Sequence, residues 1–351
     1  MYTNRITKRV NVGNVKIGAG APVSIQSMLA VPAHDIDGNV ASAKELEKAG
    51  CEILRVSVPD KQTVKTLKKL KESVSIPIVA DIHFDWRLAV LSAEAGADKI
   101  RINPGNIGDE NGVLEVVKAC RKNSIPIRIG VNSGSLPKSV LARFGSVTPE
   151  AMVESGLYHI RLLEKYDFCD IVLSLKSSDV KTMYDAYVMA SERIEYPLHL
   201  GVTEAGTENM GVIKSSAGIG GLLLRGIGDT IRISLTDNPV KEITAAKNLL
   251  NAIGLRKEGI RFISCPTCGR TQIDLIGLAN KAQERLKGFN KNITVAIMGC
   301  VVNGPGEASA ADIGIAGGNG CGVLFKKGEI IYSKISEDRL LDTLVSEIEK
   351  M

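Results

Sequence analysis

The sequence predicts an α/β fold, a (β/α)8 TIM barrel followed by a small α/β domain, and three observations carry that prediction. From Val23 onward, short β-branched runs alternate with longer amphipathic stretches at a spacing of roughly 25 to 30 residues. Eight such runs precede Gly254, and strict alternation implies parallel strands with helical crossovers, which eight repeats close into a barrel. The rhythm then breaks at Arg256-Lys257-Glu258-Gly259, which reads as a linker. The expected division is therefore 1–255 and 256–351, fitting a 351-residue chain too long for one core. An open doubly wound sheet is the alternative, disfavoured because no Gly-x-Gly-x-x-Gly follows the first strand.

The expected strands are Val23–Met28, Ile53–Val58, Ile76–Ile82, Lys99–Asn103, Ile125–Val131, Asp170–Lys176, Pro197–Glu204 and Thr230–Thr236. Helical patterns lie between them at Val40–Ala49, Lys61–Glu72, Arg87–Ala95, Gly112–Lys122, Glu150–Lys165, Val180–Arg193 and Val240–Ala252, with Gly50, Gly96 and Gly254 as C-terminal caps. Beyond the linker come strand-like Ile260–Ser264, a helix over Gln272–Lys287, the buried strand Ile293–Met298, further strands at Asp312–Ala316 and Gly322–Ile335, and a helix over Glu337–Lys350.

Composition narrows the function. Hydrophobic residues make up 44% and charged residues 24%, which is globular rather than disordered. The polar start, with Arg5, Lys8 and Arg9, lacks a secretory pattern, and no apolar run is long enough for a membrane span, so a soluble cytoplasmic protein is expected. Seven cysteines in such a chain argue for reduced thiols. Cys51, Cys120 and Cys169 are expected as small buried hydrophobes, and Cys321 as a loop thiol or a contributor to a metal site. The net charge of +5 is dispersed and aromatics are only 4%, which speaks against nucleic acid and for a small anionic substrate.

In a (β/α)8 barrel the chemistry sits at the C-terminal strand ends. There this chain places Gln26, Arg55, Asp81 with His83, Arg101 with Asn103, Arg128 with Asn132 and Ser133, Lys176, His199 with Thr203 and Glu204, and Arg232 with Ser234. Four arginines and a lysine converging on one mouth repel one another unless an anion neutralises them, and arginine forks suit phosphate. Pairing of each arginine with Asp81 or Glu204 is the alternative. Glu204 is the carboxylate placed to move protons in this positive field. Lys176 also admits a Schiff-base reading. His83 and His199 are candidate ligand contacts, while His34 and His159 are read as surface or helix residues.

Cys265-Pro-Thr-Cys268, Cys300 and Glu307 read as a metal site: paired thiolates bite one centre, and Gly304-Pro305-Gly306 turns Glu307 back toward Cys300. Zinc and iron–sulfur clusters both take thiolates. A closed zinc site wants four Cys or His ligands, and no histidine follows His199. A cubane on three cysteines leaves one iron for a weaker ligand, Glu307, and for substrate. The Cys-x-x-x-Cys-x-x-Cys spacing of S-adenosylmethionine radical chemistry is absent.

The chain resembles the bacterial two-domain 4-hydroxy-3-methylbut-2-enyl diphosphate synthases of the methylerythritol phosphate route to isoprenoids. The resemblance runs nearly end to end through Ser-Ile-Gln-Ser-Met, Leu-Arg-Val-Ser-Val, Ala-Asp-Ile-His-Phe, Lys-Ile-Arg-Ile-Asn-Pro-Gly-Asn, Arg-Ile-Gly-Val-Asn-Ser-Gly-Ser and Ser-Leu-Lys-Ser-Ser. It continues in His-Leu-Gly-Val-Thr-Glu-Ala-Gly, Ile-Arg-Ile-Ser-Leu-Thr, Cys-Pro-Thr-Cys-Gly-Arg and Gly-Cys-Val-Val-Asn-Gly-Pro-Gly-Glu. No family functional position departs from the pattern, and the large insertion of the plant form is absent. The resemblance implies a barrel that binds 2-C-methyl-D-erythritol 2,4-cyclodiphosphate through Arg55, Arg101, Arg128, Asn132, Lys176, Arg232 and Ser234, with His83 nearby. It implies a [4Fe–4S] cluster on Cys265, Cys268, Cys300 and Glu307, electrons from flavodoxin or ferredoxin, Glu204 as proton donor or acceptor, and a head-to-tail homodimer. The competing reading is a zinc-stabilised barrel lyase using Lys176 as a Schiff base on a sugar phosphate; a third is a non-catalytic iron–sulfur scaffold.

Overall fold

The computed structural model describes residues 5–103, 107, 110–289, 291–301, 306 and 308–351, which divide into two compact units, 1–255 and 256–351. The first opens with a short antiparallel hairpin, β1 (Val10–Val12) and β2 (Val15–Ile17), turned at Gly13. The eight barrel strands follow: β3 (Ser24–Met28), β4 (Ile53–Ser57), β5 (Ile78–Ile82), β6 (Lys99–Ile102), β7 (Ile127–Asn132), β8 (Ile171–Lys176), β9 (His199–Leu200) and β10 (Thr230–Ile231). All pair in parallel in the order β8-β7-β6-β5-β4-β3-β10-β9. A Leu173–Leu198 bridge, with the Leu173 N–H donating to the Pro197 carbonyl at 3.0 Å, brings β8 to β9 and closes the ring.

The crossover helices are α1 (Ile36–Ala49), α2 (Thr63–Ser73), α3 (Trp86–Glu94), α4 (Glu110–Lys122), α5 (Lys138–Phe144), α6 (Pro149–Glu164), α7 (Val180–Ser191), α8 (Glu208–Ser215), α9 (Gly221–Leu224) and α10 (Pro239–Ala252). Asp35, Asp85, Thr148, Asp179 and Asn238 cap five of them by accepting from backbone N–H groups of the first turn, each cap stabilising by about 1 kcal/mol. Gly50 ends α1 in the left-handed conformation that glycine adopts without strain.

Five parts depart from expectation; two of them are the helix over Lys138–Phe144, unassigned from sequence, and the run Gly322–Ile335, which is two antiparallel strands, Cys321–Lys326 and Glu329–Ser336, so that Cys321 opens a strand rather than lying in a loop. The seventh and eighth strands are two residues each rather than the long runs expected, because beyond Leu200 and Ile231 the chain turns into the loops that carry Glu204 and Ser234. The crossover between them, unassigned from sequence, is α8 and α9 joined by a π turn over Ser216–Gly220, where glycines obscure the helical period. The N-terminal hairpin was also unread, its strands being only three residues long.

The second unit is a five-stranded sheet in sequence order: β11 (Arg261–Ser264), β12 (Thr294–Met298), β13 (Ile313–Gly317), β14 (Cys321–Lys326) and β15 (Glu329–Ser336). The first three are parallel, the last two antiparallel. Helices α11 (Leu275–Arg285) and α12 (Leu340–Glu349) cover one face with Leu275, Leu340 and Leu344 on Val295 and Ile315, while Ala308, Ala311 and Phe325 pack with Ala296 and Met298 in a second small core.

Candidate active site in the barrel and the cysteine loops of the second unit

Strand alternation decides what fills the barrel. One parity, Leu54 and Val56, Ile100 and Ile102, Ile127 and Ile129, Leu173 and Leu175, joins the main apolar cluster with the helices. The opposite parity carries Gln26, Arg55, Asp81, Lys99, Arg101, Arg128, Lys176 and His199, all buried. These polar side chains therefore fill the interior, where most barrels place aliphatic layers.

Asp81 is the anchor. It is fully buried and accepts from Arg55 Nη2 at 2.7 Å, Arg101 Nη1 at 3.0 Å and His83 Nε2 at 3.0 Å. Burial alone would raise its carboxyl, but Arg55, the His83 hydrogen bond and Arg101 outweigh burial and hold it well below the ordinary range. Arg232 meets Glu242 of α10 at 3.4 Å, and the same carboxylate accepts from Ser27 Oγ at 2.9 Å and the Leu235 N–H at 3.1 Å. The carboxylate partners are thus Asp81 and Glu242; Glu204 makes no ion pair among the described residues.

Two carboxylates do not balance the cations. Arg55, Lys99, Arg101, Arg128, Lys176 and Arg232 make six basic side chains in one barrel interior against Asp81 and Glu242. Each of the four arginines keeps a buried Nε–H without an acceptor among the described residues. Burial, then Arg232 and Arg128, pushes the Lys176 ammonium well below the usual lysine range. Leaving so many donors unsatisfied costs about 1–3 kcal/mol each, which an anion accepting from several at once offsets.

Glycines make room for this crowd. A Cβ on Gly130 would lie 2.3 Å from Arg101 Nε, and one on Gly201 would lie 2.9 Å from Lys176 Nζ. Asn132 is the register partner of Lys176, at the adjoining ends of β7 and β8. Ser234 is half-buried just past β10. Glu204 is exposed past β9 with φ 52°, a left-handed conformation costing a non-glycine residue about 1–3 kcal/mol.

Sequence reasoning missed Lys99 and Glu242. Lys99 shares strand parity with Arg101, which was a usable signal. Glu242 stands on the apolar stripe of α10 with Ala246 and Leu249, spacings of four and seven that place a carboxylate where a core residue belongs. His199 is fully buried inside the barrel, His34 Nε2 lies 3.0 Å from an Asp60 carboxylate oxygen on the surface, and His159 is buried in α6.

In the second unit Cys265 follows β11 and Cys300 follows β12, neighbouring parallel strands. The Gly299 N–H donates to Cys265 Sγ at 3.2 Å, so these two loops adjoin. Cys268 is exposed, and hydrogen bonds from the Arg270 backbone and side chain lower its thiol, favouring the thiolate that metals bind. No three Cys, His, Asp or Glu side chains come together as a metal-holding group among the described residues. Glu307, Gly304 and Pro305 lie outside the described residues. Cys51 and Cys120 are buried, with thiols pushed up to about 12 by burial, as small core residues should be. Cys169 corrects the expectation: it is exposed, because the strand begins only at Ile171, after a surface turn.

The GcpE TIM-barrel domain model matches residues 7–247, and the GcpE protein C-terminal domain model matches residues 261–350. A 4-hydroxy-3-methylbut-2-en-1-yl diphosphate synthase (flavodoxin) of Caldanaerobacter subterraneus is 55% identical over 99% of this chain and 98% of its own length. The protein of that name from Clostridium perfringens is 56% identical over 98% of each. Among solved structures, the dihydropteroate synthase of Yersinia pestis superposes with TM-score 0.52 at 13% identity, over 71% of this chain and all of that one. That likeness supports the barrel fold alone. The two matched regions with their full-length relatives carry the assignment: this chain belongs to the GcpE family.

Proposed function

We propose that this chain catalyses the reductive ring opening and dehydration of 2-C-methyl-D-erythritol 2,4-cyclodiphosphate to (E)-4-hydroxy-3-methylbut-2-enyl diphosphate. The reading is supported by relatives bearing that enzyme's name over nearly full length, and most of all by the barrel interior, where six basic side chains face two carboxylates and the Nε–H of Arg55, Arg101, Arg128 and Arg232 finds no acceptor among the described residues. The bond from carbon to one ring phosphate breaks, the C3 hydroxyl leaves as water, and a double bond forms. Two electrons and one proton convert the dianion to a trianion. Arg55, Arg101, Arg128, Lys176 and Arg232, with Asn132 and Ser234 at the rim and His83 nearby, would hold the diphosphate and stabilise charge growing on the departing phosphate oxygen. Glu204, exposed and in reach of solvent protons, would protonate the leaving hydroxyl.

A [4Fe–4S] cluster held by Cys265, Cys268 and Cys300, with Glu307 as fourth ligand, would supply the electrons one at a time, received from flavodoxin or ferredoxin. The lowered Cys268 thiol and the adjoining cysteine loops fit a thiolate-bound group. No relative named above is a lyase, and the depressed Lys176 ammonium does not select the Schiff-base alternative, since burial among arginines accounts for it. A homodimer and a cytoplasmic location belong to the same proposal; no helix among the described residues is long and apolar enough to cross a membrane.

Anaerobically purified protein should be coloured, contain iron, and convert the cyclodiphosphate to the allylic diphosphate with a strong reductant. Iron-replete protein that forms no product would overturn the proposal. Glu204→Gln should slow turnover while leaving substrate affinity within about threefold.

A further inference from the structure

The barrel holds two bases that the proposed chemistry does not use. Lys99 opens β6 and His199 opens β9; both are fully buried, and neither Lys99 Nζ nor either His199 ring nitrogen finds a hydrogen-bond partner among the described residues. The strand starts below them are sealed by the hairpin, Val12 and Ile17 packing on Ile53 and Val79. Carboxylates at that end are engaged elsewhere: Asp98 with Lys71 and the Ile78 N–H, Asp229 with Thr7 and the Leu198 N–H.

What faces the pair from the other strands is mainly cationic: Arg55, Arg101, Arg128, Lys176 and Arg232, with Asp81 already shared between two arginines. Gln26 and Thr230 are neutral, and Tyr187 of α7 donates its hydroxyl to the His199 carbonyl. Six basic side chains cannot all stay charged beside two carboxylates in a sealed interior. Guanidinium groups do not give up their protons, so the deficit falls on the lysines and the imidazole. Burial, then Arg128 and Arg55, holds Lys99 well below the lysine range; burial, then Arg128, Lys176 and Lys99, holds His199 well below the histidine range. A diphosphate in the mouth adds negative charge and reverses that field.

We propose that Lys99 and His199 form a proton-accepting pair beneath the anion clamp, charged by proton uptake when a diphosphate fills the mouth. This rests on the anion-clamp reading of the barrel. The proton comes from solvent, so ligand affinity falls as pH rises, by up to about tenfold per pH unit for each proton taken up.

Calorimetric titration of the full-length, anaerobically purified protein with the cyclodiphosphate, without reductant and in buffers of different ionisation enthalpy, counts these protons. Each ring phosphorus carries one strongly acidic oxygen, so the ligand contributes none near neutral pH. The expected uptake is about one proton per ligand bound. Lys99→Met and, separately, His199→Phe should lower it and flatten the pH dependence of Kd. Binding without uptake by the unsubstituted protein overturns the inference and leaves the clamp standing, whether or not the variants fold. Unchanged uptake in both folded variants also overturns it. Absence of binding overturns the clamp reading itself.

Discussion

The barrel interior and the cysteine loops of the second unit achieve their chemistry by opposite means. Arg55, Arg101, Arg128 and Lys176 stand within paired strands, their backbones fixed by the ladder and their side chains buried, with Asp81 and Gly130 shaping the space between them. Cys265, Cys268 and Cys300 lie beyond strand ends, half-buried or exposed, and no three such ligands gather among the described residues. The first region is set by the fold before any ligand arrives, and the cost is a set of unsatisfied donors. In the proposed reading, the second takes its final arrangement from the group that its cysteines hold, as when metal binding and local folding are coupled.

This contrast is open to tests of decreasing size. Cys300→Ala should abolish iron retention, measured by metal analysis after anaerobic purification, while cyclodiphosphate affinity stays within about twofold, since each unit has its own core. Loss of both together would show that the two regions are not independent. Asp81→Asn should destabilise the barrel by about 3–5 kcal/mol in denaturant titration, because Arg55 and Arg101 would be left buried without their carboxylate. A change under about 1 kcal/mol would mean that the arginines are compensated in another way.

Lys176→Ala should weaken cyclodiphosphate binding by about 2 kcal/mol, roughly 30-fold in Kd, with Gly130→Ala acting in the same direction by displacing Arg101. A pH effect on the ligand-free protein is a separate test, of up to about 1.4 kcal/mol per pH unit for each lysine. Lys99 and Lys176 have depressed folded-state values, so the unfolded chain binds more protons and stability should rise with pH from neutral toward the lysine range. A melting temperature that is flat or falling over that range, and unmoved by Lys176→Met, would contradict the buried, uncompensated state of these amines. Cys169→Ser, on the surface, should change stability by less than about 0.5 kcal/mol.

Much of the barrel was readable because β-branched runs alternate with amphipathic stretches and glycines such as Gly50 close the helices. Arg55, Arg101, Arg128 and Lys176 were legible as residues converging on one barrel, but they were expected at the strand ends of the mouth; Arg55 stands mid-strand and Arg128 near the start of β7, both buried in the interior by strand parity. The hairpin over Val10–Ile17 was not readable, because three-residue strands give no periodic signal. Nor was the helix over Glu208–Leu224, where Gly211, Gly218, Gly220 and Gly221 lower helical propensity and tertiary packing overrides it. Glu242 escaped notice because its role lies across the fold, against Ser27 on β3 and Arg232 past β10, contacts that no local pattern encodes. Cys169 misled because a short apolar context looks alike in a core and beside a surface turn.

The central claim is that the barrel interior is an anion clamp for a cyclodiphosphate. A crystal structure of the full-length protein with 2-C-methyl-D-erythritol 2,4-cyclodiphosphate tests it most directly. Diphosphate oxygens are expected within hydrogen-bonding distance of Arg55, Arg101, Arg128, Lys176 and Arg232. A ligand bound outside the barrel mouth, with those side chains in the same pairings as without it, would contradict the account.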